Sequence, residues 1–165
     1  MVARPYLGHA AQGHPPTGSI MKEIHVLLVE DNEGDIVLTL EALKEGRVIN
    51  RVSVVRTGVE AMDFLLKRGE HIDADAPDMV LLDINLPLMN GLEVLERVKT
   101  DERLRSLPVV MLTTSGSERD ILASYRKYAN CYITKPVNFG EFMEVVRSIE
   151  DFWVSIVKLP PHGHS

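Results

Sequence analysis

The chain has 165 residues, 45% of them hydrophobic and 25% charged, with a formal net charge of −6. That length fits one domain with a substantial core, and the acidic balance disfavours general nucleic-acid binding, which needs Lys and Arg clustered against phosphates. No apolar run approaches the roughly 18 residues of a membrane span, and residues 1–20 hold Arg4, Pro15-Pro16 and two histidines rather than the apolar stretch of a secretory signal. A cytoplasmic protein is expected.

Residues 1–22 read as a disordered leader, because Gly, Pro, His and Ala without periodicity bury too little apolar surface to offset ordering entropy. The domain proper is expected over 23–159. Its first strand is the apolar run His25 to Val29, followed by the capping pair Asn32/Asp35 and the helical spacing Ile36-Leu40-Leu43. Val52 to Val55 then reads as a strand and Thr57/Glu60 as a second cap, with a longer connection from Lys67 to Asp78. Met79 to Leu82 is a third strand, Asn90/Glu93 a third cap, and Leu92-Leu95-Val98 the apolar stripe of the helix behind it. Val109 to Leu112 leads to Ser117/Asp120, and Cys131 to Ile133 to Asn138/Glu141. Cys131 is the lone cysteine, so it forms no internal disulfide, and its apolar setting suits a small buried residue.

The last helix is expected over Phe139 to Val157, with more apolar positions than one buried stripe requires, and residues 160–165 as a flexible tail beyond Pro160-Pro161. That excess fits either a well-buried terminal helix or an intermolecular surface, and with the neighbouring Tyr125 to Tyr128 region a homodimer is predicted. The six histidines show no metal-binding spacing.

Five β-α units in series predict a doubly wound, flavodoxin-like (βα)5 α/β fold with a five-stranded parallel sheet in the order 2-1-3-4-5. The central runs are apolar without alternation, as strands covered on both faces must be. Such sheets bind ligands beyond the carboxyl ends of their strands. At that rim the sequence places Glu30 and Asp31 after the first strand, Asp83 after the third, Thr113 after the fourth and Lys135 after the fifth. Three carboxylates in one pocket repel one another unless a cation is present, so the set implies a divalent ion. Hard oxygen donors without nearby Cys or His favour Mg2+ over zinc. A phosphoryl group at such a site would be met by metal, Lys135 and the Thr113 hydroxyl, with Asp83 placed as nucleophile.

Val-Glu-Asp-Asn at 29–32, Leu-Leu-Asp-Ile-Asn-Leu-Pro at 81–87 before Asn90-Gly91, Leu-Thr-Thr-Ser at 112–115 and Tyr-Ile-Thr-Lys-Pro at 132–136 resemble bacterial response-regulator receiver domains of the CheY-like kind. The resemblance covers about residues 24–157. It implies Asp83 as phosphoacceptor, Glu30 and Asp31 as acidic metal-site residues, the Asn85 carbonyl as a further metal ligand, and Lys135 as the contact to the phosphoryl group. It also implies a cis Lys135-Pro136 bond and a Thr113/Tyr132 pair that moves on phosphorylation. Within the family, the 67–78 connection, the Ala-Asn-Cys-Tyr stretch from Ala129 and the Phe152-Trp153 ending look like the small regulators that partner bacterial phytochrome histidine kinases. A single-domain switch phosphorylated by such a kinase is therefore expected, with Asn85 and Ser115 flanking the site where they could position or exclude an attacking water. Three other readings share the fold or the chemistry. A flavin- or nucleotide-binding protein would cradle phosphate on Gly- or hydroxyl-rich loops, not on Glu30-Asp31-Asn32-Glu33. A haloacid-dehalogenase-like phosphatase carries a second Asp two positions past its nucleophile, where this chain has Asn85. An interaction module that no longer takes phosphate would have no need of the acidic set.

Overall fold

The structure is a computed structural model that describes residues 6–7, 20–21, 24–45, 49–114, 117–118, 121, 131–148 and 157–158. Its strands are β1 (Tyr6–Leu7), β2 (Ile20–Met21), β3 (Ile24–Val29), β4 (Ile49–Val55), β5 (Met79–Asp83), β6 (Val109–Thr113), β7 (Cys131–Thr134) and β8 (Val157–Lys158). The described helices are α1 (Glu33–Lys44), α2 (Gly58–Leu66), α3 (Gly91–Thr100) and α4 (Phe139–Ser148), with a short 3-10 turn at Gly69–His71.

β4, β3, β5, β6 and β7 lie side by side and parallel, which is the expected order 2-1-3-4-5. The three inner strands β3, β5 and β6 are buried along their whole length. Helices cover both faces and make two apolar layers. On one face Val26, Leu28, Leu81, Val110 and Leu112 pack with Ile36 and Leu43 of α1 and Phe142 and Val146 of α4. On the other, Leu27, Val29, Val80, Leu82 and Met111 pack with Phe64 and Leu65 of α2 and Val94, Leu95 and Val98 of α3. Alternate residues of one strand thus feed opposite cores, and that is why those strands lack a polar face.

The helix starts obey the capping pattern. The side chains of Asn32, Thr57, Asn90 and Asn138 accept from the N–H groups of Asp35, Glu60, Glu93 and Glu141 at 2.9, 3.0, 3.0 and 2.8 Å. In the fifth pair, Ser117 is helical and Asp120 lies outside the described residues. The acid does not simply reach back to its cap: Glu60 takes the N–H of Arg56, one residue earlier, at 3.1 Å. Lys67 ends α2 in the left-handed region, φ 56°, and the 67–78 connection then turns through Gly69–His71.

One sequence expectation, the extent of the last helix, is corrected. Within residues 1–22 two short segments are strands: β1 pairs antiparallel with β4 (Tyr6 opposite Val52) and β2 pairs antiparallel with β8 (Ile20 opposite Lys158). The outer edge of β4 presents unpaired N–H and C=O groups that an extended segment satisfies without needing an apolar pattern. The last helix does not run to Val157, which belongs to β8. A β-branched residue close to Pro160-Pro161 is better suited to that pairing than to a helix end. Residues 149–156, the Tyr125 to Tyr128 region, Ser115 and the 160–165 tail lie outside the described residues.

Candidate functional site

Beyond the carboxyl ends of the strands, the structure brings together most of the residues that the sequence singled out. β5 ends on Asp83, whose side chain is only 6% exposed. The close approach of α3 holds it there: the Gly91 N–H donates to the Ile84 carbonyl at 2.8 Å, and a Cβ on Gly91 would collide with the Asp83 carbonyl oxygen. Glu30 follows β3 and is fully buried, while Asp31 beside it is exposed. Carboxylate oxygens of Glu30, Asp31 and Asp83 all lie within 4.8 Å of one another.

Lys135 follows β7, and its backbone N–H donates to the Thr113 carbonyl at 2.7 Å. The Lys135-Pro136 bond is cis, as the resemblance implies. The Lys135 ammonium donates to Glu30 Oε1 and Asp35 Oδ2, each at 2.9 Å, and stands 3.3 Å from Asp83 Oδ1. Asp35, which the sequence marks only as a capping partner, is therefore a member of the site. Its signal was available: it lies in the first turn of the helix that starts at the same rim.

One ammonium faces several carboxylates, and the electrostatics reflect that imbalance. Burial, reinforced by the negative charge of Glu30 and only partly opposed by Lys135, raises the Asp83 carboxyl to about 7. Burial alone would lower Lys135, but the hydrogen bonds to Glu30 and Asp35 and the charges of Asp83 and Glu30 outweigh it and hold the ammonium firmly protonated. A divalent cation would relieve the same repulsion. The donor set fits a hard one, being carboxylate oxygen without Cys or His.

Thr113 ends β6 fully buried, and its hydroxyl has no hydrogen-bond partner. An orphaned buried hydroxyl costs about 1–3 kcal/mol, and such a group beside a charged pocket is suited to a ligand oxygen. Tyr132, opposite Met111 on β7, is instead 46% exposed, so the two residues of the expected switch pair stand apart in burial. Asn85, two residues past Asp83, sends its side-chain amide away to Glu118 Oε2 at 2.6 Å. Cys131 is partly buried and packs on the core edge, with its sulfur 3.9 Å from Ser148 Oγ.

A doubly wound parallel sheet with an acidic rim, a lysine ammonium paired to it and a buried threonine at the ends of neighbouring strands is the architecture of a receiver domain. The chain belongs to the response regulator receiver domain family, whose model matches residues 26–147. Among named relatives, response regulator Rcp1 of Synechocystis is 42% identical over 135 residues, covering 82% of this chain and 92% of that protein. A Mn(2+)-bound structure of Rcp1 has a TM-score of 0.65 at 41% identity, over 84% of this chain and 99% of the other. The bacteriophytochrome response regulator AtBRR gives 0.75 at 42% identity, over 80% and 96%. The phosphorylated cyanobacterial phytochrome response regulator RcpA gives 0.66 at 46% identity, over 85% and 100%.

Proposed function

We propose that Asp83 is the phosphoacceptor of a two-component phosphorelay switch, and that a sensor histidine kinase supplies the phosphoryl group. The observation that supports this most is the placement of Asp83: a buried strand-end carboxylate, 3.3 Å from the Lys135 ammonium and within 4.8 Å of the Glu30 and Asp31 carboxylates. An Asp83 oxygen would form a new O–P bond in line as the P–N bond to the kinase's phosphohistidine breaks, and the imidazole leaves. Lys135 would hold a phosphoryl oxygen, and the orphaned Thr113 hydroxyl would donate to another.

Glu30, Asp31, Asp83 and the Asn85 carbonyl would hold Mg2+, and the Mn(2+)-bound Rcp1 structure supports a divalent ion at such a site. When bound, the ion neutralises charge on the transferring group. It would also offset the burial and the Glu30 charge that raise Asp83, so that the Asp83 carboxylate would be ionised and nucleophilic.

The relation to RcpA, AtBRR and Rcp1 supports a bacterial phytochrome as the kinase. Contact of the phosphoryl group with Thr113 and Lys135 would favour one arrangement of the loops after β6 and β7, with Tyr132 turning inward and the outer surface exchanging partners. The receiver would also promote hydrolysis of its own acyl phosphate. The reading includes a homodimer through the last helix and the Tyr125 to Tyr128 region, and a cytoplasmic location. Among the described residues no helix is long and apolar enough to cross a membrane.

The test is intact mass after incubation with a small-molecule phosphodonor, with Mg2+ and then with chelator, for the natural chain and Asp83→Asn. A single phosphoryl adduct that needs metal and vanishes in the variant is expected. A folded, metal-loaded protein that takes no adduct would leave an interaction module with no phosphate chemistry.

A further inference from the structure

The Glu118 carboxylate bridges two residues that follow the strand ends of the pocket, Asn85 two positions past Asp83 and Thr114 next to Thr113. Glu118, in a helical stretch after β6, accepts from the backbone N–H of Thr114 at 2.7 Å through Oε1 and from the side-chain amide of Asn85 at 2.6 Å through Oε2. It thereby ties the loop after β5 to the end of β6, whose neighbouring residues are Asp83 and Thr113. Both bonds are short and charge-assisted, so they are among the stronger bonds at this rim.

Both donors flank the place where an arriving phosphoryl group would seek hydrogen bonds. A carboxylate there occupies them and adds a negative charge to a pocket already crowded by Glu30, Asp31 and Asp83. Lys135 cannot offset it, being committed to Glu30 and Asp35 at 2.9 Å each. We infer that Glu118 is an anionic latch: it holds the Asn85 and Thr114 loops in the unphosphorylated arrangement and must release them before the phosphoryl group is accommodated. This rests on the reading of Asp83 as phosphoacceptor and adds to it a residue that sets the threshold for the switch. Glu118 is a positioning residue, acting through Asn85 and Thr114 rather than on the reacting atoms.

The full chain with Mg2+ and acetyl phosphate, followed by intact mass over time, tests it. The acetyl phosphate P–O bond breaks as the Asp83 O–P bond forms, with acetate leaving. Glu118→Gln keeps the shape and loses the charge, Glu118→Ala loses both, and Glu96→Gln removes an equal charge from the exposed face of α3. Adduct formation is expected to be faster by on the order of 3- to 10-fold in both Glu118 variants, as loss of one or two charge-assisted bonds allows, and unchanged in Glu96→Gln. The Thr114 amide proton should also exchange faster in Glu118→Ala. A merely structural role predicts that Glu118→Gln behaves like the natural chain while Glu118→Ala is impaired, and that result overturns the latch. So do unchanged or slower rates in both variants. No adduct in the natural chain would instead overturn the Asp83 reading, and the latch with it, so the two failures are distinct.

Discussion

β3 carries a buried polar cluster near each end, and the two are built on opposite principles. At its amino end His25 Nε2 meets Ser53 Oγ at 2.8 Å, and the His25 N–H donates to Asp78 at 2.8 Å. Phe64 lies edge-on to His25, with ring centroids 6.1 Å apart, and joins it to His71, which is 3.2 Å from Glu60. Burial, with the charge of Arg51, lowers the pKa of His25, so its ring stays neutral. These contacts pin the 67–78 connection against α2 and the sheet. At the carboxyl end, Glu30, Asp31 and Asp83 crowd one another with Lys135 as their cation, and Asp83 is driven up to about 7. Each cluster holds one buried polar atom without a hydrogen-bond partner, His25 Nδ1 and the Thr113 hydroxyl, so what separates them is charge: the neutral cluster serves the fold, and the one left with excess carboxylate is built for something that arrives.

The largest effect should come from the charged end. Lys135→Met strips the cation from Glu30, Asp35 and Asp83, and breaking a buried ion pair from one side costs about 3–5 kcal/mol. Urea unfolding in chelator at pH 8 should show that loss, with Mg2+ restoring part of it. A loss below 1 kcal/mol would mean that the carboxylates are far better solvated than their burial indicates.

Asp83→Asn should do the reverse without metal. The folded pKa of about 7 lies above the unfolded value of 3.8, so between them the folded state keeps a proton that the unfolded state has released. Stability of the metal-free natural chain should therefore fall as pH rises from about 4 to 7, and the Asn variant should lack that slope and be the more stable by about 1–3 kcal/mol at pH 8. With Mg2+ bound the order should invert. Parallel curves for the two proteins across this range would contradict the charge imbalance.

The smallest effect belongs to the cluster at the amino end. Ser53→Ala removes one partner of His25 and should cost about 1 kcal/mol, with no change in phosphoryl adduct formation. Because the folded pKa of His25 is lowered below 6.5, the unfolded chain binds the extra proton first and this region loses stability as pH falls through that value. A Ser53→Ala defect in adduct formation would show that the two ends of β3 are coupled.

Much of this was legible in local sequence. Unbroken apolar runs gave β3, β5 and β6, and Asn32, Thr57, Asn90 and Asn138 marked helix starts, because strand burial and capping are set within a few residues of chain. The parallel order then put Glu30, Asp31, Asp83, Thr113 and Lys135 on one rim, since each follows or ends its strand. Other features gave no such signal. Tyr6–Leu7 looks like any short stretch of a polar leader until the free edge of β4 lies beside it, and Val157 fits a helical stripe until Met21 stands opposite.

What the sequence determined by itself was the five central strands, the capped helix starts and the donors each delivers, because periodicity, caps and strand-end residues are properties of neighbours along the chain. Only the tertiary structure decided which donors meet. Lys135 joins Glu30 across 105 positions and Asp35 across 100, and Asn85 joins Glu118 across 33. Those pairings, and the raised Asp83 carboxyl that follows from them, depend on distance and on the exclusion of water, and both exist only once the sheet has closed over its two cores.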